Sequence, residues 1–303
     1  MIDFKAVSKR FGAQEVLREA SFRINPAEHA GIVGPNGTGK STIFELIAGS
    51  SAADAGQIDL PADARLGYVR QEIAPDDASV ALRDYVEAGS HALHRLHDRI
   101  VQLEAGLDGL ADRARERQLA QIGELQTQFE AGGGYELRTR AEAALGGLGF
   151  AADAMERPLD TFSGGWQMRA ELARVLVLEP DILLLDEPSN YLDVPAVEWL
   201  QRHLREFHGT LALISHDRYL LNSLTSVTIE LVQGRTTRYS GNYDTYVKDR
   251  ALRYEQAAAA HKNQERKREQ MQRFVDRFRA KNTKASQVQS MIKKIDKLED
   301  VEM

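Results

Sequence analysis

The stretch Ala30-Gly31-Ile32-Val33-Gly34-Pro35-Asn36-Gly37-Thr38-Gly39-Lys40-Ser41 decides the fold. Its first four residues form a short apolar run, the pattern of a strand buried on both faces. The next eight match G-x-x-x-x-G-K-S, and residues 42–48 read as a helix. Strand, glycine-rich loop and helix in that order form a phosphate-binding unit. Backbone N–H groups point at phosphate oxygens, and the helix start adds partial positive charge. Gly34, Asn36, Gly37, Thr38 and Gly39 build the cradle. Lys40 is expected to reach the β- and γ-phosphates, and Ser41 to ligate Mg²⁺ with Thr42 beside it.

Upstream, Phe4, Ala6 and Val7 open one strand and Ala20–Ile24 a second, with a turn at 25–28. Downstream, Ile182–Leu185 and Thr210–Ile214 are two further apolar strands. Strands alternating with helices predict an α/β fold around a mostly parallel sheet. Ile182-Leu183-Leu184-Leu185-Asp186-Glu187 ends on two carboxylates, so they emerge at the strand's carboxyl edge, where ligands bind in such sheets. Asp186 is expected to hold Mg²⁺ and Glu187 to act as general base. Ser163-Gly164-Gly165-Trp166-Gln167 opens another predicted helix and is a second place where backbone donors could meet phosphate.

Residues 79–131 change character. Leu93, Leu96, Ile100, Leu103, Leu107 and Leu110 follow a 3-4-3-4-3 spacing, a coiled-coil seam. A second stripe runs Leu119, Ile122, Leu125, Phe129, and Gly132–Gly134 ends it. Two stripes with a break predict an antiparallel helical hairpin. Residues 141–180 read as helical with a loop at Thr161–Gly165, and 227–243 as a β-hairpin turning at Gln233-Gly234. The last sixty residues read as a second helical hairpin, with Met271, Phe274, Val275 and Phe278 on one face. Val288, Met291, Ile292, Ile295 and Leu298 mark another, with a turn at Lys281–Lys284. A single continuous helix is the alternative. A first helix of about 30 residues gives the hairpin a length of roughly 45–50 Å.

Composition narrows the class. The 303 residues are 43% hydrophobic and 28% charged, enough apolar material for a core. There is no cysteine, hence no disulfide framework and no thiolate metal site. No basic-then-apolar leader and no membrane-length apolar run occur. The net charge of −6 hides an asymmetry: residues 248–303 hold 15 Lys and Arg against 9 Asp and Glu. An acidic body with a basic tail suits a tail that meets something anionic; a solvated charged helix is the plain alternative.

Gly34–Ser41, Ser163–Gln167, Ile182–Glu187 and Ser215-His216-Asp217 stand in an order and spacing that resembles an ATP-binding cassette (ABC) ATPase. The resemblance implies a P-loop cassette binding ATP and Mg²⁺, with Ser163, Gly164, Gly165 and Gln167 as the signature that closes over ATP on another cassette. It implies that Gln71, in Tyr68-Val69-Arg70-Gln71, senses Mg²⁺ and water, and that His216 contacts the γ-phosphate. It makes Asp193 the D-loop aspartate and Phe11 the ring that stacks on adenine. Taken alone, Gln71 suits a surface position, His216 a helix cap and Phe11 a core.

The finer resemblance is to the ABC-F branch, cytoplasmic cassette proteins that act on ribosomes. Trp166 after the signature glycines, the helical insertion before the signature, and Phe278-Arg279-Ala280-Lys281 with Ser286–Ser290 in the tail carry it. It implies four segments: a first nucleotide-binding part at 1–78, a helical arm at 79–134, a second nucleotide-binding part at 135–243, and a helical hairpin linker at 244–303. It implies ATP hydrolysis, weak in an isolated cassette, and a linker that reaches tRNA near the peptidyl-transferase centre. The expected partners are the ribosome, tRNA and a second cassette, in a longer chain or a homodimer, and no membrane. Ser189 and Tyr191 depart from the Thr and His common in the branch, and the chain holds one cassette where the branch has two, so it is expected to be the first half of a longer protein. An ABC transporter subunit or a DNA-associated regulatory ATPase are the rival readings.

Overall fold

The computed structural model describes residues 1–69, 79–108, 110–278 and 290. The chain divides into two compact units, Met1–Tyr243 and the stretch from Asp244 onward.

Two sheets form the first unit. β1 (Ile2–Phe11) pairs antiparallel with β2 (Gln14–Ile24) and with β4 (Ala55–Asp59), in the order β2-β1-β4. The larger sheet runs β5-β6-β7-β3-β8-β9. Its members are β3 (His29–Val33), β5 (Leu66–Tyr68), β6 (Ile182–Asp186), β7 (Thr210–Ile214), β8 (Val227–Val232) and β9 (Arg235–Ser240). All pair parallel except the edge strand β9. The apolar runs are buried because helices and the smaller sheet cover both faces: Leu183, Leu184, Leu185, Leu211 and Ile32 are all 0% exposed. The small sheet closes the core with Phe4 stacked on Phe22 at 4.4 Å.

Parallel pairing has one consequence for function. β6, β7 and β3 are neighbours with a common direction, so Asp186, Ile214 and Val33 end at one edge. The phosphate loop, the two carboxylates and Ser215–Asp217 therefore meet there although up to about 180 residues of sequence separate them.

Helices complete the unit: α1 (Lys40–Ile47), α2 (Leu82–Glu87), α3 (His91–Ala105), α4 (Asp112–Ala131), α5 (Leu137–Gly147), α6 (Gly164–Val177), α7 (Val194–Arg205) and α8 (Arg218–Leu224). α1 starts two residues earlier than its sequence pattern predicts, because Gly39 turns straight into it. α3 and α4 form the predicted antiparallel pair. The His97 ring meets Phe129 at 5.7 Å, and near the connection Gln118 Nε2 donates to Leu103 O at 2.6 Å. The seam is shorter than its spacing suggests. α3 ends at Ala105 with Gly106 as its cap, so Leu107 and Leu110 fall in the connection. α2 packs on α5 and α6, with the Tyr85 hydroxyl donating to buried Glu171 at 2.6 Å.

From Tyr243 the chain continues as α9 (Tyr243–Phe278), 36 residues and roughly 54 Å long at the usual helical rise. It is longer than the 30 residues expected. The turn at Lys281–Lys284 and the second predicted face at Val288–Leu298 lie outside the described residues. Among the described residues no helix is long and apolar enough to cross a membrane.

Candidate functional site

Gly39 sets the geometry of the phosphate loop. It is the residue before α1 and sits at φ 101°, ψ 22°, in the left-handed region. A Cβ here would also run into the Val16 side chain, so glycine is required twice over. The Thr38 hydroxyl donates to Pro35 O at 2.9 Å and tightens the loop. Lys40 Nζ lies across it, donating to Gly34 O and Pro35 O, both at 3.0 Å. No acidic residue occupies the first turn of α1, so the positive helix start is uncompensated.

At the end of β6, Glu187 adopts φ 49°, a left-handed conformation that costs a non-glycine residue of order 1 kcal/mol. Its N–H is tied to Ile214 O at 2.9 Å. Its Oε2 accepts the His216 backbone N–H at 3.2 Å, and the His216 Nε2 stands 3.5 Å from Oε1. Oε1 is buried and has no hydrogen-bond partner. A buried carboxylate oxygen left with a free lone pair is costly, and of the buried unpartnered side-chain atoms among the described residues this one lines the cleft at the phosphate loop.

A cleft of about 400 Å³ gathers most of the predicted residues. Asn36, Gly37, Gly39, Lys40, Ser41 and Thr42 form one wall; Asp186, Glu187 and His216 form another; Phe11 stands at the rim. Phe11 is 49% exposed, with Lys9 Nζ 5.3 Å from its ring centre, so it is a surface ring and not a core residue. An adjoining cleft of about 690 Å³ is lined again by Ser41, Asp186 and Glu187, and also by Gly164, Gly165 and Gln167. Burial raises the Tyr68 phenol there, and Asp186 raises it further.

Gly34, Thr38, Ser163 and Asp193 line neither cleft, and Gln167, which lines the second, has its side chain tied to its own loop. Gln167 Nε2 donates to Leu159 O and Phe162 O, closing its own loop. Asp193 caps α7, accepting from Ala196 N–H at 3.2 Å. Ser163 is the residue before α6 and its side chain makes no capping bond. Gly34 lines neither of the two clefts; a Cβ there would strike Leu231 O. Gln71 lies outside the described residues.

Sequence reasoning missed Arg169. Its guanidinium donates to Tyr191 O at 2.6 Å and Leu148 O at 3.1 Å, lies 3.6 Å from Asp193 and covers the Trp166 ring at 4.4 Å. The three-residue spacing from Trp166 on a predicted helix was the available signal. Gln14 and Val16, on the cleft wall, had none.

The donor set suits a nucleotide and Mg²⁺. Lys40 has no carboxylate partner among the described residues, leaving its charge for phosphate. Among the described residues no cluster of three or more His, Cys, Asp or Glu side chains forms a metal cage. One carboxylate and one hydroxyl, Asp186 and Ser41, are what Mg²⁺ takes when phosphate supplies further oxygens.

A family model described as "ABC transporter" matches residues 17–190, and a second with the same description matches 229–303. The chain belongs to the ATP-binding cassette family. The cassette is 37% identical to "Probable ATP-binding protein YheS" of Haemophilus influenzae, over 99% of this chain and 45% of that protein. It is 35% identical to "ATP-binding cassette sub-family F member 3" of Homo sapiens, over 96% and 40%. These relatives put it in the ABC-F branch, and it spans less than half of their length. Among solved structures, the "ATP binding subunit of ABC transporter" aligns at TM-score 0.60 and 20% identity, covering 84% of this chain and 94% of the other. The dimeric, ADP- and phosphate-bound ATP-binding cassette MJ0796 aligns at TM-score 0.55 and 21% identity, covering 79% and 98%. At these identities the structures speak for the fold alone, and they agree with the α/β cassette.

Proposed function

We propose that this chain is one cassette of a two-cassette ATPase, and that it acts on the ribosome. The observation that carries the hydrolytic reading is Glu187 Oε1, buried without a hydrogen-bond partner beside His216 and across the cleft from the phosphate loop.

Phe11 stacks on adenine, and the N–H groups of Gly37–Ser41 with Lys40 hold the phosphates. Ser41, Asp186 and Gln71 are the residues that would hold Mg²⁺, which when bound neutralises developing charge on the transferred phosphoryl group. Glu187 Oε1 accepts a proton from water as its oxygen bonds to the γ-phosphorus, and the bond from that phosphorus to the bridging oxygen breaks. His216 holds the carboxylate in place. Ser163, Gly164 and Gly165 serve ATP held on a second cassette, in the same longer chain or a homodimer. With such a composite site, each half alone is expected to bind nucleotide but to turn it over poorly.

The ribosome reading rests on the sub-family F relatives and on the basic balance of residues 248–303. Contact with RNA phosphates, including those of tRNA, makes it salt-sensitive.

Glu187→Gln tests both parts. It is expected to keep ATP affinity while lowering kcat by about 10²–10⁴-fold, the usual share of a general base. Wild-type activity per chain is expected to rise with protein concentration; a constant value removes the composite site. The Glu187→Gln variant is expected to pellet with ribosomes only when ATP is present, and less so at high salt. Pelleting indifferent to ATP, or absent even with a second cassette fused, removes the ribosome reading.

A further inference from the structure

A third cleft, of about 190 Å³, lies behind the phosphate loop. One side is the end of β3 with Gly34; the other carries Ser215, His216 and Arg218, and Tyr243 closes it. Lys40 and His216 line both this cleft and the nucleotide cleft, so the two meet at those side chains. We propose that the rear cleft is a second anion site that takes orthophosphate on its way out after hydrolysis. The proposal rests on the nucleotide-binding reading above.

Three observations support it. The first is charge. No Asp or Glu lines the cleft, whereas Lys40, Arg218 and His216 do. Among the described residues Arg218 has no carboxylate partner. The Arg218 guanidinium instead sits 5.8 Å from the centre of the Tyr243 ring, a contact that leaves its N–H donors unspent. A guanidinium with free donors suits a tetrahedral oxyanion, which it binds through two parallel hydrogen bonds.

The second is Ser215. It is only 7% exposed, and its hydroxyl accepts the Asp217 N–H at 3.0 Å. Among the described residues its proton goes to no acceptor, so a buried donor is held ready at the cleft wall. The third is size. The cleft is less than half as large as the nucleotide cleft, which restricts its ligand to a small anion. Hydrolysis produces such an anion next to Lys40 and His216. The rear cleft offers it a route that does not require ADP to leave first.

The test uses inorganic phosphate as the probe. The full chain is first titrated with Mg²⁺–ADP, which reports on the nucleotide reading alone: no ADP binding overturns that reading. The ADP-saturated chain is then titrated with phosphate by calorimetry, as wild type, Arg218→Gln and Ser215→Ala. Saturable phosphate binding is expected in the wild type. Arg218→Gln is expected to weaken it about tenfold or more, the usual effect of losing a charge-assisted pair. Ser215→Ala is expected to weaken it by a smaller factor, and ADP affinity to stay unchanged in both. An ADP-bound wild type that binds no phosphate overturns the proposal. So does phosphate affinity that neither variant changes from the wild type, since the anion then stays on the phosphate loop.

Discussion

The two edges of the parallel sheet are built from the same strands and do opposite things. The larger cleft is at the amino edge: about 970 Å³, lined by Pro26, Pro61 and Pro180 and by the starts of β6 and β7. Its charges are mostly satisfied. Asp181 accepts from the Arg65 backbone N–H at 2.9 Å and from its guanidinium at 3.3 Å, and the Arg65 hydrogen bonds hold the Asp181 carboxyl below its ordinary range. Glu179 pairs with Arg140 at 2.6 Å, and both His29 ring nitrogens meet backbone carbonyls. The carboxyl edge has smaller clefts, an unpartnered carboxylate oxygen, and cations that no acid neutralises. Backbone strain does not distinguish them, for Glu179 at φ 47° and Glu187 at φ 49° sit at opposite edges. Arg140 Nε too is buried without a hydrogen-bond partner, so what sets the carboxyl edge apart is an unpartnered carboxylate oxygen beside unneutralised cations, and cleft volume alone points to the wrong edge.

The largest expected effect comes from breaking the carboxyl edge. Gly39→Ala places a Cβ against Val16 at a left-handed φ. We expect ATP affinity to fall by about a hundredfold or more, from the left-handed penalty together with the overlap. Calorimetric titration reads it. A fall of less than about threefold, too small for that penalty, removes the requirement for glycine. Next is a change that both edges share. Leu184→Ala empties a site that is 0% exposed in the middle of β6, and is expected to cost about 2–5 kcal/mol of stability by denaturant unfolding.

The sheet was legible because its strands are nearly continuous apolar runs, and the phosphate loop because its glycines stand at fixed spacing. β4 and β5 carried no such signal. Gly67 in β5 earns its place only by the approach of Pro180 and Val175, residues more than a hundred positions away. The end of α3 was misread because Leu107 and Leu110 keep the seam's spacing past a glycine that stops the helix. Where one motif fixes them, as at Lys40, Asp186 and Glu187, the residues expected to share a site do line one cleft. Gln167 and Asp193 are harder to assign, because amide and carboxylate side chains at helix starts also serve the local backbone, as they do here.

Smaller effects are expected at the amino edge. Asp181→Asn removes a pair in which both side chains are about half exposed. It is expected to cost no more than about 1 kcal/mol and to leave ATP affinity unchanged. A loss of ATP affinity there would mean that the edges are coupled, and the contrast between them would fail.

The finest test of the contrast is a proton. His203 on α7 lines the amino-edge cleft and stacks on Trp199 at 5.1 Å with 15° between the planes. Burial lowers its imidazole below the ordinary 6.5, against a weaker upward pull from Glu206 and Glu179. The sign follows by linkage. Well above 6.5 the ring is neutral in both the folded and the unfolded chain, and its contribution does not vary with pH. As pH falls through 6.5 the unfolded chain takes up the proton first, so stability drops, and it levels off only below the folded value. His203→Phe keeps the stacked ring and removes the titration. The variant is therefore expected to lose less stability than the wild type between about pH 7 and pH 5, near the histidine range, with ATP affinity at pH 7 the same in both. Identical pH slopes would show that His203 is not the group. A shift in ATP affinity would show that the amino edge reaches the nucleotide after all.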